Sequence, residues 1–358
     1  MIQAQTPPHA RGGVFVSESC YRHVSPVSRP DNPSPDRGLF TGLVPEGDPA
    51  VRTVGYRYQR TLARPVTLRG RGTVTGSLVT LTFRPAPVQA GVRFLRTDLK
   101  PTPIIPAAAE QVTGTARRTT LGSPSAQVML VEHVLASLAG LRIDNCTVEL
   151  DGPEPPGFDG SALEFVTALQ AAGSRLQSGR RPIRTVDEPI EVEAGGATLG
   201  LYPGDDHLQV TYRLDYGPSA PIPPQSYTLK VDVETFVREL APARSFLLDV
   251  EAAELQRQGI GQHLTPADLV VFAASGPIGT TLRWANEPAR HKALDMIGDL
   301  SLCGFDLAGH LVAYRSGHPL NAELAGRLAR QIGHEGTGDR GSPPGGRPSP
   351  PRRGRRAA

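Results

Sequence analysis

The chain has 358 residues, 39% hydrophobic and 20% charged, enough for two ordinary domains with packed cores. The formal charge is +3, but residues 335–358 alone carry +4 (six Arg against two acids), so the body carries −1 and no nucleic-acid partner is expected of it. Three cysteines, Cys20, Cys146 and Cys303, lie far apart without a CxxC spacing, which argues against a disulfide framework and a thiolate zinc site. Absence of an 18-residue apolar run argues against a transmembrane segment. The opening Met1-Ile2-Gln3-Ala4-Gln5-Thr6-Pro7-Pro8 lacks the charged and apolar regions of a signal peptide, so a cytoplasmic location is expected.

Residues 1–55 are rich in Pro, Ser, Gly and Arg with little periodicity, and read as a disordered or accessory tail. Residues 335–358 read as a second, basic Pro/Gly/Arg tail. Between them, Val66–Leu68, Leu78–Phe83 and Val92–Leu95 read as strands. Met129–Leu138 reads as an apolar helix, with Gly140 where a C-cap belongs. Cys146–Leu150 then reads as strand, Asp151–Gly157 as a loop, and Ser161–Ala172 as a helix ended by Gly173. The second half repeats the plan: strands at Ile190–Val192, Thr198–Tyr202, Gln209–Leu214 and Tyr227–Val231. Pro288 suits the first turn of a helix reaching about Cys303, with Gly304 as its cap. His310–Tyr314 is a strand, Arg315–His318 a turn and Pro319–Arg330 a helix. The helix–Gly–strand–turn–helix pattern thus occurs twice, at 129–172 and 290–330. It predicts two similar α+β domains, 56–178 and 182–334, joined near Ser174–Pro182, with a site where the halves face each other.

His291 and Asp295 stand four residues apart on the second buried helix, and so share a face. A neutral imidazole and a carboxylate so placed can bind one zinc ion. Asp299 continues the stripe, and unpaired buried charge is costly. The first helix carries Glu132-His133 amid Met129, Leu130, Val131, Val134 and Leu135. This pair reads either as a metal-ligating His beside a proton-handling Glu, or as a hydrogen-bonded core His with a partly exposed Glu. The repeat pairs His133 with His291 and Asp295 on corresponding helices, and two His, one Asp and a water make a catalytic zinc site. Lys292 reads as a group that neutralises a substrate phosphate or oxyanion, or as a snorkelling surface Lys. His318, in a turn after a strand, reads as an unligated general acid with Asp299 setting its protonation.

These residues resemble a known family. Val131-Glu132-His133, Leu138 to Asn145, Asp159-Gly160-Ser161-Ala162, Arg290 to Leu300 and Ser316-Gly317-His318 look like the UDP-3-O-acyl-N-acetylglucosamine deacetylases, the LpxC family, which make the committed step of lipid A synthesis. Phe83-Arg84-Pro85-Ala86-Pro87, Arg96-Thr97-Asp98-Leu99 and Ala243-Arg244-Ser245-Phe246 add to the likeness, which runs from about Tyr56 to Ile332. The resemblance implies two α+β domains, each a sheet layered with helices, with the helices packed between the sheets. It implies Zn2+ held by His133, His291 and Asp295, Glu132 as general base, and His318 as general acid supported by Asp299. It implies that Ser245, where the family usually has Thr, helps hold the oxyanion, that Phe246 lines the substrate site and that Lys292 contacts it. Arg181 falls near a basic position that meets the nucleotide in relatives. The substrate implied is a UDP-sugar with an acyl chain, for which Leu247 to Val271 offer apolar candidates. A monomer near the membrane periphery is expected. Two positions depart from the pattern: Val74 stands where many relatives have His, and Leu247 where they have Gly. Those departures motivate a second reading, a zinc amidohydrolase on another N-acetylated amino-sugar. A third is a non-catalytic module that binds a nucleotide-sugar or lipid.

Overall fold

The computed structural model describes residues 50–204 and 206–335. Strand β1 (Val51–Leu62) is followed by β2 (Val66–Arg71), β3 (Leu78–Pro85), β4 (Val92–Arg96) and β5 (Ile104–Pro106). Short strands β6 (Val112–Gly114), β7 (Thr120–Ser123) and β8 (Ala126–Met129) come next. Helix α1 (Glu132–Gly140), strand β9 (Cys146–Leu150) and helix α2 (Leu163–Ala172) complete the first half. Strand β10 (Ser174–Val186) leads to β11 (Ile190–Ala194), β12 (Ala197–Tyr202), β13 (Leu208–Leu214) and β14 (Gln225–Val231). The single turn α3 (Val233–Thr235) runs into a π-helical stretch, Phe236–Leu240. Strand β15 (Phe246–Leu248), helix α4 (Asp249–Arg257) and strands β16 (Val270–Ala273) and β17 (Gly276–Pro277) precede helix α5 (Glu287–Leu300). Strands β18 (Asp306–Leu307) and β19 (Gly309–Tyr314) and helix α6 (His318–Glu335) end the described chain.

The two halves share one topology. Their five-stranded sheets run β2-β3-β9-β4-β5 and β11-β12-β19-β13-β14. Ranked within its own half, each reads first, second, fifth, third, fourth. In each, the last strand is parallel to its third-ranked neighbour (β9 with β4, β19 with β13), and the other pairs are antiparallel. Each half also places a three-stranded sheet before its buried helix: β6-β7-β8 before α1, and β15-β16-β17 before α5. Strand alternation sets the faces. In β3 the buried residues are Val79, Leu81 and Phe83, and in β13 they are Val210, Tyr212 and Leu214. Helix α5 packs on β13 and β14, α6 on β11 and β12, and α2 on β2, while α1 packs on α5 and α2. The fold is therefore α+β, two similar domains of sheet and helix around one continuous apolar core. No helix among the described residues is long and apolar enough to cross a membrane.

Helices α1 and α5 meet more closely than side chains normally allow. A Cβ added at Gly298 of α5 would lie 2.1 Å from the carbonyl oxygen of Glu132 on α1. Glycine there lets the backbones touch, and it sets the spacing between the residues each helix carries. At the other end of α1, a Cβ on Gly140 would fall 2.3 Å from the ring of Phe236.

Several expected boundaries move. Met129 belongs to β8, and Leu130 adopts φ 54°, so the first helix starts at Glu132 rather than Met129. A left-handed leucine breaks the run, although Met129-Leu130-Val131 is as apolar as the helix itself. The second helix starts at Leu163, because the Ser161 hydroxyl accepts from the Leu163 N–H instead of joining the helix. Strand structure begins at Val51, inside the expected N-terminal tail. The expected joint at Ser174–Pro182 is part of β10, which pairs along β1 and then with β18. The last helix extends from Arg330 to Glu335. The remaining tail expectations, 1–49 and 336–358, lie outside the described residues.

Candidate metal centre and active site

The seam between α1 and α5 gathers the ionisable residues singled out in the sequence. His133 Nε2 and His291 Nε2 each lie 3.4 Å from Asp295 Oδ1, and their rings stand edge to face at 5.1 Å. Asp295 is 2% exposed, and its Oδ1 is buried without a hydrogen-bond partner. A buried carboxylate oxygen left unpaired is costly unless a cation fills the gap. His291 Nδ1–H donates to the carbonyl of Ala243 at 3.0 Å, which leaves the lone pair of Nε2 facing Asp295. A backbone carbonyl on the far nitrogen is the usual way a ligating imidazole is oriented.

The electrostatics agree with a cation pocket. Burial, with the neighbouring His133 and Lys292, lowers the pKa of His291 to about 4, so this imidazole is neutral. Burial acts against the charge on Asp295, but His291, Lys292 and His133 outweigh it and hold the carboxyl well below its usual range. Burial likewise opposes protonation of His133, yet the neighbouring Asp295 carboxylate, with Glu132, outweighs it and the pKa rises. The two imidazoles shift in opposite directions because burial with the neighbouring His133 and Lys292 prevails at His291, while Asp295 and Glu132 prevail at His133. A single positive charge satisfies all three groups.

A second group sits alongside. Ligand atoms of Glu132, Asp299 and His318 also lie within 4.8 Å of one another, but three of the four carboxylate oxygens already accept hydrogen bonds. Glu132 Oε2 accepts the N–H of Thr119 at 3.0 Å. Asp299 accepts the hydroxyl of Thr119 on Oδ1, and on Oδ2 both His318 Nδ1–H and Asn321 Nδ2–H, each at 2.8 Å. Asp299 therefore fixes the His318 tautomer and points Nε2 toward the first group, where Asp295 Oδ2 is 4.0 Å away. Burial opposes the charged form of His318, but Asp299 outweighs it and raises the pKa to about 9. Burial raises the pKa of Glu132, with Asp299 and Asp295 adding to it and His318 and His133 opposing. A carboxyl with a raised pKa and an imidazole with a raised pKa thus flank the first group.

The second domain supplies the rim. Ser245 Oγ is 3.1 Å from His291 Nε2. Its backbone is clamped on both sides, donating to Gly160 O at 2.8 Å and accepting from Val270 N–H at 2.9 Å. The preceding Arg244 makes a buried bidentate pair with Glu287 at the start of α5, which ties this loop to the helix that carries His291 and Asp295. The Phe246 ring lies 6.3 Å from that of His291, and Lys292 Nζ is 5.9 Å from the centre of the Phe246 ring. Lys292 Nζ also bonds Asp295 Oδ2 at 3.0 Å; burial opposes its charge, but Asp295 with Tyr212 and Tyr216 raises its pKa above the usual lysine value.

Arg181 is not brought to this cluster. Its guanidinium bonds Asp306 Oδ1 at 3.1 Å and lies 3.5 Å from Asp144 Oδ1, beside Arg57. It lines a separate cavity of about 680 Å³ with residues such as Leu138, Ile143 and Leu300. With two carboxylates already on it, this arginine has its charge engaged in the protein. Val74 lies in a turn whose Val74 and Thr75 N–H groups both donate to the buried Glu154. Two site residues went unread in the sequence, Thr119 and Asn321. Asn321 follows His318 by three on one helix face, a signal that was available; Thr119 carries none.

The geometry can be set beside known proteins. Residues 59–330 match the family model described as LpxC, UDP-3-O-acyl N-acetylglycosamine deacetylase. The chain belongs to the LpxC family. Proteins named UDP-3-O-acyl-N-acetylglucosamine deacetylase are similar to it along most of its length. That of Anaeromyxobacter dehalogenans is 40% identical over 273 residues, 75% of this chain and 87% of the relative. That of Myxococcus xanthus is 40% identical over 275 residues, 75% and 86% of the two chains. That of Thermosynechococcus vestitus is 39% identical over 275 residues, 76% and 94%. The LpxC-family match spans both domains and therefore both helices of the cluster.

Proposed function

We propose that the chain is a zinc-dependent deacetylase that hydrolyses the acetamide of UDP-3-O-acyl-N-acetylglucosamine to acetate and UDP-3-O-acyl-glucosamine, in the lipid A pathway. The observation that carries the metal is the unpaired Asp295 Oδ1 held 3.4 Å from two imidazole nitrogens. Zinc bonds to nitrogen and oxygen of about 2.0–2.1 Å at tetrahedral angles put ligand atoms about 3.3–3.4 Å apart, so the three groups fit that ion. Bound zinc would polarise the amide carbonyl and make its water acidic.

The chain's own residues divide the proton work. Glu132, anchored through Oε2 to the Thr119 N–H, takes the proton of the attacking water on Oε1. His318, held through Nδ1 by Asp299, gives the Nε2 proton to the amine as the C–N bond breaks. The Ser245 hydroxyl stands at His291 Nε2 and turns to the substrate oxyanion once that lone pair is taken. Lys292 and Phe246 line the same rim, where they meet the sugar and its charge. Arg181 has no part in this reading. The proposal includes a cytoplasmic monomer that meets its acylated substrate at the membrane periphery.

The test is paired substitution. Glu132→Gln is expected to keep about one zinc per chain by elemental analysis while acetate release falls about 10²- to 10⁴-fold. His291→Ala is expected to lose both. A Glu132→Gln protein with wild-type turnover would remove the assignment of the base.

A further inference from the structure

We infer that Thr119 is a positioning residue that holds the proton acceptor and the proton donor of the reaction in one frame. The inference rests on the roles proposed above for Glu132 and His318. Thr119 is 0% exposed and lies just before β7, in the small sheet of the first domain. Its backbone N–H donates to Glu132 Oε2 at 3.0 Å. Its hydroxyl donates to Asp299 Oδ1, the only hydrogen bond to that oxygen among the described residues. The same Oγ1 lies 3.3 Å from His318 Nδ1. One residue of the first domain therefore touches the base on α1 and the dyad on α5 and α6.

The chemistry of these contacts assigns the direction. An ionised carboxylate only accepts, so the Thr119 hydroxyl gives its hydrogen to Asp299. Oδ2 of Asp299 is occupied by His318 and Asn321, and Oδ1 is left to Thr119 alone. Asp299 is 0% exposed, so no bulk water replaces a lost donor. Without the hydroxyl, the carboxylate is free to turn toward other donors, and the His318 Nδ1–H loses a fixed acceptor. The neutral imidazole then also populates the other tautomer, which carries its proton on Nε2 and has none on Nδ1 to hold the ring in place.

Removal of the hydroxyl by Thr119→Val should lower kcat about 10- to 100-fold, the usual cost of losing such a supporting partner, while KM and zinc content stay at wild-type values. Thr119→Ser should recover most of the loss. In a His318→Ala background, Thr119→Val should cost nothing further, because the two act through one group. NMR of the imidazole nitrogens, recorded at a pH where His318 is neutral, should show its proton on Nδ1 in the wild type and a mixture of tautomers in Thr119→Val. Thr119→Ala removes the same hydroxyl without adding a methyl group and must agree, which guards against a packing defect. Wild-type kcat together with an unchanged His318 tautomer would overturn the inference. A loss of equal size with and without His318 would also overturn it, as a merely structural effect. If the wild type releases no acetate, the proposed function fails, and the tautomer comparison still decides the role of Thr119.

Discussion

At the scale of single residues, the site works by giving neighbouring groups opposite protonation preferences. Asp299 raises the His318 pKa to about 9 against the effect of burial, while burial lowers that of His291 to about 4. On the proposed reading, two imidazoles on one seam thus serve as a proton carrier and a neutral ligand. The sign for His318 follows: the folded pKa lies above the ordinary value of about 6.5, so its proton is fully held below that value and lost as pH rises toward about 9. A bound cation opposes protonation, so the alkaline limb of kcat/KM should fall at or below about 9. Burial raises the pKa of Glu132, so the acid limb should come from protonation of this base as pH falls. Asp299→Asn removes the main group that raises His318, and the alkaline limb should move to lower pH. A pH–rate profile with the limb unmoved in Asp299→Asn would separate His318 from the proton transfer.

At the scale of elements, the seam between α1 and α5 sets the distances in the pocket. Alanine normally stabilises a helix interior by up to about 1 kcal/mol relative to glycine. At Gly298 the added Cβ would meet the Glu132 carbonyl at 2.1 Å, so the sign reverses. Gly298→Ala should lower the melting temperature and push α1 from α5, weakening zinc affinity as His133 leaves His291 and Asp295. Calorimetry and zinc titration check both effects; a more stable variant with intact zinc binding would contradict the packing. The same seam shows what the sequence could reveal. Local spacing sufficed for His291 and Asp295, and strand alternation for β3 and β13. The start of α1 was hidden, since the left-handed Leu130 leaves no mark in an apolar run. The 13-residue β10 read as a joint because its Arg-rich run does not alternate; its strand state comes from pairing with β1, far away in sequence. Thr119 was invisible for a related reason: its partner Asp299 lies 180 residues away. The repeat itself was legible as helix–Gly–strand–turn–helix, while the shared strand order needed the register of both sheets.

At the scale of the molecule, two domains of one topology place their buried helices face to face, so the candidate site belongs to neither alone. A second charged cluster ties the domains on the far side of that seam. Arg57 on β1 bonds Asp144 through both NH groups at 2.7 Å, and also Asp306 of β18, with Arg181 joining from β10. Asp144 is nearly fully buried, so removal of Arg57 leaves its charge without its main partner. Arg57→Ala should therefore cost about 3 kcal/mol of stability in chemical denaturation. Arg181→Ala should destabilise less and leave KM for the nucleotide sugar unchanged. A large rise in KM with unchanged stability would return Arg181 to the substrate site.

One zinc ion, shared by ligands from both domains, is proposed to be necessary for deacetylation by this chain. The measurement that bears on it most directly is acetate release from UDP-3-O-acyl-N-acetylglucosamine by chelator-treated protein as zinc is added back. Negligible turnover without metal, recovery in proportion to added zinc and saturation at about one zinc per chain are expected. Full turnover in metal-free protein would contradict it.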